Sequence, residues 1–477
     1  MASRDIRALY QTSDALGLAE LIQAGQVTPS EIMEAAIAQA EATNPRINAL
    51  ISWEYELARS QASACKANST FSGVPYLEKN LSAEVAGFRT TNGLKFLHRL
   101  APVAETDSEA VRRLREAGMI PFGMTNSSEM GLRWTTEPKV YGATLNPWNL
   151  AFSAGGSSGG AAAAVAARIV PVAGGSDGGG SIRMPASVCG LIGLKPSRGR
   201  IPDPWQGLAV PGSVLGCLSR TVRDTAAYLD VVSGPRPGDY FTPPRGAESF
   251  LELSARDPNQ LSVGLATSLP YGFKMDREIT ACLNETARLL EDLGHRVEPC
   301  ELNLFTEAAR AARSRVFVVQ LAQRLSALEL TLGARMLDDD CEPATRSFIE
   351  VGKSVDAITF AADVETIRIS ACDIAGRLAR YDVVLCPVWP AHIFRRDEGD
   401  EEAWPDEQKV AFNEYLTTIN MCGVPSISLP VGVFHDGLPL GVQLVGRYGD
   451  EATLLQVATA LEQQLRWHER QPPVIEG

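Results

Sequence analysis

Apolar residues recur at helical spacing soon after the start of the chain. Thr28 and Glu31 have the spacing of a capping box, and Pro29 between them fits the first turn of a helix. The apolar positions that follow are Ile32, Ala35, Ala36 and Ala40. The sequence therefore predicts a helix that begins directly after Thr28.

A second helical pattern is followed at once by a short apolar run. We expect Asp107 to cap a helix that carries Val111 and Leu114 and ends at Gly118. Residues 119–122 then read as a strand. A helix, a glycine and a strand in that order favour an α/β architecture.

The second half of the chain alternates strand-like runs with helical patterns. Residues 276–293 predict a helix that is closed by Gly294, and residues 304–380 read mostly as helix. Between them and after them, the runs 262–266, 381–386 and 426–429 predict buried strands. Residues 235–258 are rich in proline, glycine and polar residues, which indicates a long surface excursion.

Glycine and serine are concentrated in two blocks, at residues 153–160 and 174–181. Residues 161–167 between the blocks predict a helix, and an apolar run follows at 169–173. Low complexity is therefore a poor interpretation of these blocks. Glycine-rich loops inside structured sequence typically bring backbone N–H groups close to a ligand or to another segment.

Composition excludes several classes of function. The chain has 477 residues, and 44 Lys and Arg against 57 Asp and Glu give it a net charge of −13. Without a basic cluster, we expect no binding to nucleic acid. The longest apolar stretch, 161–175, contains Arg168 and Pro171 and is too short to span a membrane. Together with an N-terminus that lacks a signal core, this predicts a soluble cytoplasmic protein.

Metal chemistry and disulfides are also unexpected. The nine cysteines are dispersed without a CxxC spacing, and the five histidines form no HExxH or HxxH pair. We therefore expect reduced thiols, no metal and no cofactor.

Two ways of activating a serine remain. The segment 156–160 formally satisfies the G-x-S-x-G pattern of a Ser-His-Asp nucleophile elbow, but such an elbow follows a buried strand and residues 146–149 are turn-like. The other way is a neutral lysine, for which Lys79 is the candidate. A lone lysine is usually a solvated surface charge, but Lys79 is followed by both glycine–serine blocks.

The sequence closely resembles the amidase signature family over most of its length. The resemblance is carried by Gly73-Val74-Pro75 with Lys79, by the glycine–serine blocks, by Gly193-Leu194-Lys195-Pro196 and by residues 423–430 and 441–446. It is weakest between residues 235 and 375. The resemblance implies one large α/β domain over residues 1–477, in which a mixed central β-sheet is covered by helices on both faces. Its core lies at about 60–235 and 380–470, and a variable, mostly helical segment at about 300–380 shapes the substrate pocket.

The resemblance also implies a Ser–cis-Ser–Lys triad. Ser181 corresponds to the nucleophile, Ser157 to the bridging serine, which follows a cis peptide bond, and Lys79 to the base. The two serines are 181 − 157 = 24 positions apart, as in the family, and this spacing selects Ser157 rather than Ser158. Burial without a carboxylate partner would lower the pKa of Lys79 and leave it neutral.

The remaining site residues are also assigned by resemblance. Gly178, Gly179, Gly180 and Ser181 correspond to the segment that forms the oxyanion hole, and Gly178 stands where the family commonly has Thr or Ile. Asp177 and Arg183 flank the nucleophile and are expected to hold the loop rigid, while the Ser158 hydroxyl should bond within the loop. Asn80 replaces the aspartate that commonly follows the lysine.

The function implied is hydrolysis of a small or oligomeric linear or aryl amide through a Ser181 acyl-enzyme, with esterase or carbamate cleavage as side activities. Two alternatives stay open. One is the glutaminase subunit of an amidotransferase, although Met184 stands where that branch typically has Gln. The other is a catalytically silent scaffold of the same fold.

The substrate itself is not specified by the sequence. The expected partner is a small-molecule amide, and the chain is expected to be a monomer or homodimer. Three aromatic residues near the motifs either line the cleft or pack in the core: Trp134, Tyr141 and Trp389.

Overall fold

The computed structural model describes residues 6–475 with the exception of residues 82, 204–211, 303 and 397–403. Thirteen strands lie in this part of the chain: β1 (Leu50–Trp53), β2 (Pro75–Lys79), β3 (Ile120–Thr125), β4 (Leu145–Asn146), β5 (Asn149–Ser153), β6 (Val172–Asp177), β7 (Ile192–Lys195), β8 (Val214–Ser219), β9 (Ser262–Leu265), β10 (Arg296–Pro299), β11 (Val383–Pro387), β12 (Ser426–Val433) and β13 (Pro439–Gly446).

Sixteen α-helices lie in the same described residues. They are α1 (Ile6–Thr12), α2 (Ala15–Gln23), α3 (Pro29–Ile47), α4 (Tyr55–Ala64), α5 (Lys95–Leu100), α6 (Glu109–Glu116), α7 (Gly159–Ala166), α8 (Arg183–Cys189), α9 (Val222–Val232), α10 (Phe250–Ser254), α11 (Arg277–Asp292), α12 (Glu307–Leu332), α13 (Pro343–Ser354), α14 (Ala357–Leu378), α15 (Asp406–Cys422) and α16 (Glu451–Leu465). Within the described ranges, no helix is both long and apolar enough to cross a membrane.

Eleven of the strands form one mixed sheet in the order β1-β3-β2-β6-β8-β7-β12-β13-β11-β9-β10. The pairs β3–β2 and β2–β6 are parallel, as are β11–β9 and β9–β10, and the other neighbours are antiparallel. Every residue of β2, β3, β6, β7 and β8 is buried, so both faces of the central sheet are covered. The α/β fold with a mixed central sheet is therefore confirmed.

Local signals fixed several elements where we predicted them. Thr28 caps α3 in a reciprocal capping box with Glu31, and Pro29 is the first helical residue. Residues 276–293 form α11, with Asp276 as its N-cap. Residues 304–380 hold the three helices α12, α13 and α14.

The predicted cap of α6 is wrong. The N-cap residue is Ser108, and the helix begins at Glu109. Asp107 instead accepts a hydrogen bond from the Ala86 N–H at 2.8 Å and pairs with Arg115 at 2.9 Å. The Asp107 carboxylate therefore bonds to residues outside the helix end that the local pattern predicts it to cap.

The bounds of strand β3 also differ from the prediction. The strand begins one residue later and ends three residues later than predicted.

The two glycine–serine blocks flank adjacent elements at the centre of the sheet. The first block ends at the start of α7, and the second runs along β6 and past its end. Strands β2 and β6 are parallel neighbours, so their carboxyl ends lie at the same edge. This edge brings Lys79, the last residue of β2, next to residues 176–181.

Candidate active site

Lys79 lies at the end of β2 with its side chain fully buried. Its Nζ lies 2.7 Å from Ser157 Oγ, 3.1 Å from Ser176 Oγ and 3.3 Å from the Ser176 carbonyl oxygen. These three contacts suit an ammonium with three donors. They equally suit a neutral amine that donates to both Ser176 oxygens and accepts a hydrogen bond from the Ser157 hydroxyl.

The pKa of Lys79 is lowered from 10.5 to about 7. Burial is the main cause, because it disfavours the charged ammonium, while the negative charges of Asp177 and Glu78 act in the opposite direction. Lys79 forms no direct ion pair with a described carboxylate. A substantial fraction of Lys79 is therefore neutral near pH 7, whereas a free lysine is almost wholly protonated there.

Glu78 is the carboxylate nearest to Lys79 along the chain, and it points to the other side of the sheet because neighbouring residues of a strand alternate. It accepts hydrogen bonds from Tyr76 Oη at 2.6 Å and from the Lys79 N–H at 2.8 Å. Burial raises the pKa of Glu78 to about 7. The neutral residue Asn80 therefore does not leave Lys79 without an acidic neighbour.

Ser157 lies between Lys79 and the start of α7, and it is 1% exposed. The peptide bond between Gly156 and Ser157 is cis, as the resemblance implies. A side chain at Gly156 would collide with the backbone of Trp134 and Thr135, since an ideal Cβ there would lie 2.8 Å from Trp134 C and 2.7 Å from Thr135 O. Because the backbone of Trp134 and Thr135 packs so closely on this segment, the residue before Ser157 must be glycine.

Ser181 is the last residue of the second glycine–serine block and is half-buried, so it is the most accessible of the three residues. The Ser158 N–H donates to the Ser181 carbonyl oxygen at 3.1 Å, which joins the two blocks. In the described part of the chain, no hydrogen bond links the hydroxyls of Ser157 and Ser181. Lys79 and Ser157 are thus in contact, whereas the described hydrogen bonds include none between the side chains of Ser157 and Ser181.

Asp177 shapes the loop that carries Ser181. Its carboxylate accepts hydrogen bonds from the N–H groups of Gly180 at 2.7 Å, Ile182 at 3.1 Å and Arg183 at 3.3 Å. Because the Gly180 N–H is engaged, our prediction that Gly180 contributes to an oxyanion hole needs correction. Among the described residues, the N–H groups of Gly178, Gly179 and Ser181 have no such partner and remain available to a substrate oxygen.

Arg183 fixes Asp177 from the other side. Its guanidinium contacts both carboxylate oxygens at 3.0 Å and also donates to Gln443 Oε1 at 3.0 Å and to the Leu416 carbonyl at 3.0 Å. Asn420 bonds to the same guanidinium and donates to the Asp177 carbonyl at 2.7 Å. The pair is fully buried, and it ties the loop to α15 and β13.

The Ser158 hydroxyl forms a hydrogen bond within the glycine–serine blocks, as we expected. Ser158 Oγ donates to the Ser176 carbonyl oxygen at 3.3 Å, and the residue is the N-cap of α7. It is fully buried, and among the described hydrogen bonds none joins it directly to Lys79.

Sequence reasoning missed four residues of this site. Ser176 lies in the second glycine–serine block, and nothing else in the sequence indicates a contact with Lys79. Glu78 is next to Lys79 in the sequence, but we predicted no role for it. Asn420 and Gln443 come from distant elements, and no local pattern marks them. Only the three-dimensional contacts identify these residues.

The three aromatic residues left open by the sequence differ in their roles. Trp134 and Trp389 pack edge to face with ring centroids 5.1 Å apart, and Trp389 is buried. Tyr141 Oη bonds to Thr91 Oγ1 at 2.8 Å, and Thr91 in turn bonds to Asn80 Oδ1 at 2.6 Å. Tyr141 therefore supports the strand end that carries Lys79.

Across the described ranges, no group of three or more His, Cys, Asp or Glu residues is arranged to hold a metal ion. The site consists of a buried lysine of lowered pKa, one hydroxyl in contact with it, an accessible second hydroxyl and free backbone N–H groups. This arrangement suits proton transfer from a serine that attacks a carbonyl group.

Comparisons with known proteins agree with this chemistry. The sequence profile of the amidase family matches residues 31–455. A 6-aminohexanoate-cyclic-dimer hydrolase from Paenarthrobacter ureafaciens is 38% identical, over 97% of this chain and 97% of its own length. The solved structure of a 6-aminohexanoate cyclic dimer hydrolase superimposes with a TM-score of 0.92 at 36% identity, covering 98% of this chain and 99% of that one. A bacterial aryl acylamidase structure matches with a TM-score of 0.86 at 29% identity, covering 96% and 97%.

Proposed function

Because the chain belongs to the amidase signature family, and is therefore a hydrolase of amide C–N bonds, we propose that Ser181 is its nucleophile, Ser157 its proton relay and Lys79 its base. The observation that carries this proposal is the 2.7 Å contact between the buried Lys79 Nζ and Ser157 Oγ. Ser158, Asp177 and Arg183 support the loop without taking part in proton transfer.

In the acylation step, neutral Lys79 takes the proton of the Ser157 hydroxyl while Ser157 takes the proton of Ser181. Ser181 Oγ then attacks the amide carbonyl carbon. The N–H groups of Gly178, Gly179 and Ser181 are positioned to bind the oxygen that becomes negative, and each good donor contributes roughly 3 kcal/mol in the transition state. The relay returns the proton to the leaving nitrogen, the C–N bond breaks, and an ester to Ser181 remains.

In the deacylation step, water attacks this ester. The relay removes a proton from the water and returns one to Ser181 Oγ, which releases the carboxylic acid. Because acylation and deacylation use the same groups, esters and carbamates that fit the cleft should also react.

For the substrate, we propose a small or oligomeric amide with an aliphatic backbone. The support is similarity to hydrolases named for the cyclic dimer of 6-aminohexanoate, which has amide bonds between aliphatic chains. Aryl amides are the second class to examine, since an aryl acylamidase is also similar over nearly the whole chain.

The test is labelling with a serine-reactive fluorophosphonate, combined with a hydrolysis screen of aliphatic amides, anilides, carbamates and esters. We expect wild type to be labelled on Ser181 and Ser181→Ala to lose both labelling and turnover. Ser63→Ala is the matched control, because Ser63 is an exposed serine on α4. Labelling of Ser181→Ala at wild-type rate would contradict the assignment, and an unlabelled wild type would favour a silent scaffold.

A further inference from the structure

One face of α12 carries polar side chains at helical spacing. Arg313, Gln320 and Arg324 are separated by seven and four residues, so they lie on the same side of the helix. The distance along the helix from Arg313 to Arg324 is roughly 16 Å at 1.5 Å per residue. Val316, Leu321 and Leu325 of the same helix are buried in the protein core.

Asp203 lies near the C-terminal end of this polar face, where its negative charge acts on Arg324. Elsewhere, an ideal Cβ at Gly212 would lie 3.7 Å from the carbonyl oxygen of Gly178, in the loop that carries Ser181.

The N-terminal end of the face is connected to the same loop through α15. Arg310 Nε donates to Glu414 Oε2 at 3.1 Å, and Glu414 also attracts Arg313. One turn further along α15, Thr417 approaches Gly179, with its Oγ1 3.7 Å from the position of a Cβ there. Arg310 and Arg313 are thus close to Glu414, which lies about one helical turn of α15 from the residue that approaches Gly179.

The donors on this face are not all satisfied. Arg313 Nη1 and Gln320 Nε2 are both buried and without a hydrogen-bond partner. Within the described residues, Arg313 also forms no ion pair. Among the described carboxylates, Glu414 is the one that acts on both Arg310 and Arg313, which leaves these two arginines with an excess of one positive charge. A buried guanidinium without a carboxylate partner is a binding group for an anion.

We propose that Arg313, assisted by Gln320, binds a carboxylate of the substrate, so that the enzyme prefers amides that carry a carboxylate several carbons from the scissile bond. This inference rests on the proposed function and deepens it. A linear amide of an ω-amino acid or of a dicarboxylic acid has this chemistry, whereas a cyclic diamide does not.

The test compares three amides of matched length. N-hexylhexanamide is neutral, N-hexanoyl-6-aminohexanoate carries a carboxylate on the amine side, and the N-hexyl monoamide of adipic acid carries one on the acyl side. We expect one of the two anions to exceed the neutral amide in kcat/KM by about tenfold or more, mainly through a lower KM. Arg313→Gln should reduce kcat/KM for that anion to the value for the neutral amide, and it should leave kcat/KM for the neutral amide unchanged.

Arg315→Gln is the matched control. Arg315 lies two residues away on α12 and pairs with Asp363 at 2.6 Å, so its loss should not change the preference. Arg313→Lys should retain part of the preference, because the charge remains while the planar guanidinium is lost. Thermal unfolding of all variants checks that the fold is intact.

The outcomes separate the two levels of the argument. The carboxylate site is overturned if wild type is equally active on the neutral and anionic amides, or if Arg313→Gln keeps the preference. Neither outcome contradicts the proposed amide hydrolysis. Fluorophosphonate labelling of Ser181 without hydrolysis of any of the three amides also overturns the substrate class alone. Loss of both labelling and hydrolysis contradicts the proposed function, and with it this inference.

Discussion

At the scale of single residues, the proposed mechanism depends on a lysine whose pKa is lowered by burial. Desolvation dominates over the opposing charges of Asp177 and Glu78, and the pKa of Lys79 falls to about 7. The sequence indicated this lysine by its position before two glycine–serine blocks. It gave no indication of Ser176, whose two oxygens hold the amine in place.

The first prediction concerns the lysine itself. Only the neutral form of Lys79 accepts a proton, so kcat/KM should rise with pH, pass half of its maximum near pH 7 and decline below that value. Lys79→Ala should lower the rate of acylation on the order of 10⁴-fold or more, and Ser157→Ala should do likewise. Single-turnover kinetics with an activated ester between pH 5 and 9 measure both effects. A flat pH profile would contradict this role for Lys79.

The second prediction concerns Glu78. Its negative charge stabilises the ammonium form of Lys79, so its removal should lower the pKa of the lysine. In Glu78→Gln, the midpoint of the pH profile should therefore shift to lower pH, by roughly half to one unit. Glu84→Gln, at an exposed position, serves as the control. A shift to higher pH would show that the sign of this interaction is wrong.

At the scale of elements, the loop 178–183, which carries Ser181, is held by a carboxylate that accepts hydrogen bonds from its backbone N–H groups. Asp177 at the end of β6 orients residues 178–183, and Arg183 at the start of α8 fixes Asp177 in turn. The same carboxylate takes the Gly180 N–H away from the substrate. The glycine run alone did not reveal this, because it fixes neither which way each N–H points nor which side chain receives it.

The third prediction follows from this buried pair. Asp177→Asn leaves the Arg183 charge without its partner, which should lower the free energy of unfolding by about 3–5 kcal/mol. Glu365→Gln removes an exposed partner of Arg368, and because solvent screens this pair, the free energy of unfolding should stay essentially unchanged. Urea unfolding measures both variants. An Asp177→Asn protein as stable as wild type would remove the structural role of the pair.

The fourth prediction concerns the contact between α7 and Asn126, the residue that follows β3. An ideal Cβ at Gly160 would lie 2.4 Å from the Asn126 nitrogen and 2.5 Å from its carbonyl oxygen, and neither backbone atom can move freely. Gly160→Ala should therefore destabilise the protein by roughly 1–3 kcal/mol or more. Gly376→Ala in α14 meets no atom within 4 Å and should stabilise it by about 0.5–1 kcal/mol. Thermal unfolding distinguishes the two signs.

At the scale of the whole molecule, the central sheet brings together segments that are far apart in sequence. Lys79, Asp177 and Gln443 belong to β2, β6 and β13, and side chains from α8 and α15 join them. Patterns of hydrophobicity were enough to predict the α/β class and the helical segment 304–380, while the resemblance to the amidase signature family led to the proposal of Lys79, Ser157 and Ser181 as the central residues of the site. They did not predict Asn420 or Gln443, whose role exists only after distant elements pack.

The fifth prediction is for the complete enzyme in the presence of a chelator. The proposed relay transfers every proton between protein groups, so treatment with EDTA should leave turnover unchanged. Full activity after dialysis against the chelator is the expected result. A loss of activity that added divalent cation restores would contradict the relay as the complete mechanism.

The position of Glu78 has a consequence for how this enzyme can adapt. Strand β2 presents Lys79 to the reacting groups and Glu78 to the rear, where Tyr76 holds its carboxylate. The pKa of Lys79, and with it the pH range of activity, can therefore be adjusted by substitutions around Glu78. These substitutions lie on the opposite face of the sheet and do not touch a substrate. Directed evolution aimed at acidic or alkaline reactors should find its useful positions there as well as along the cleft.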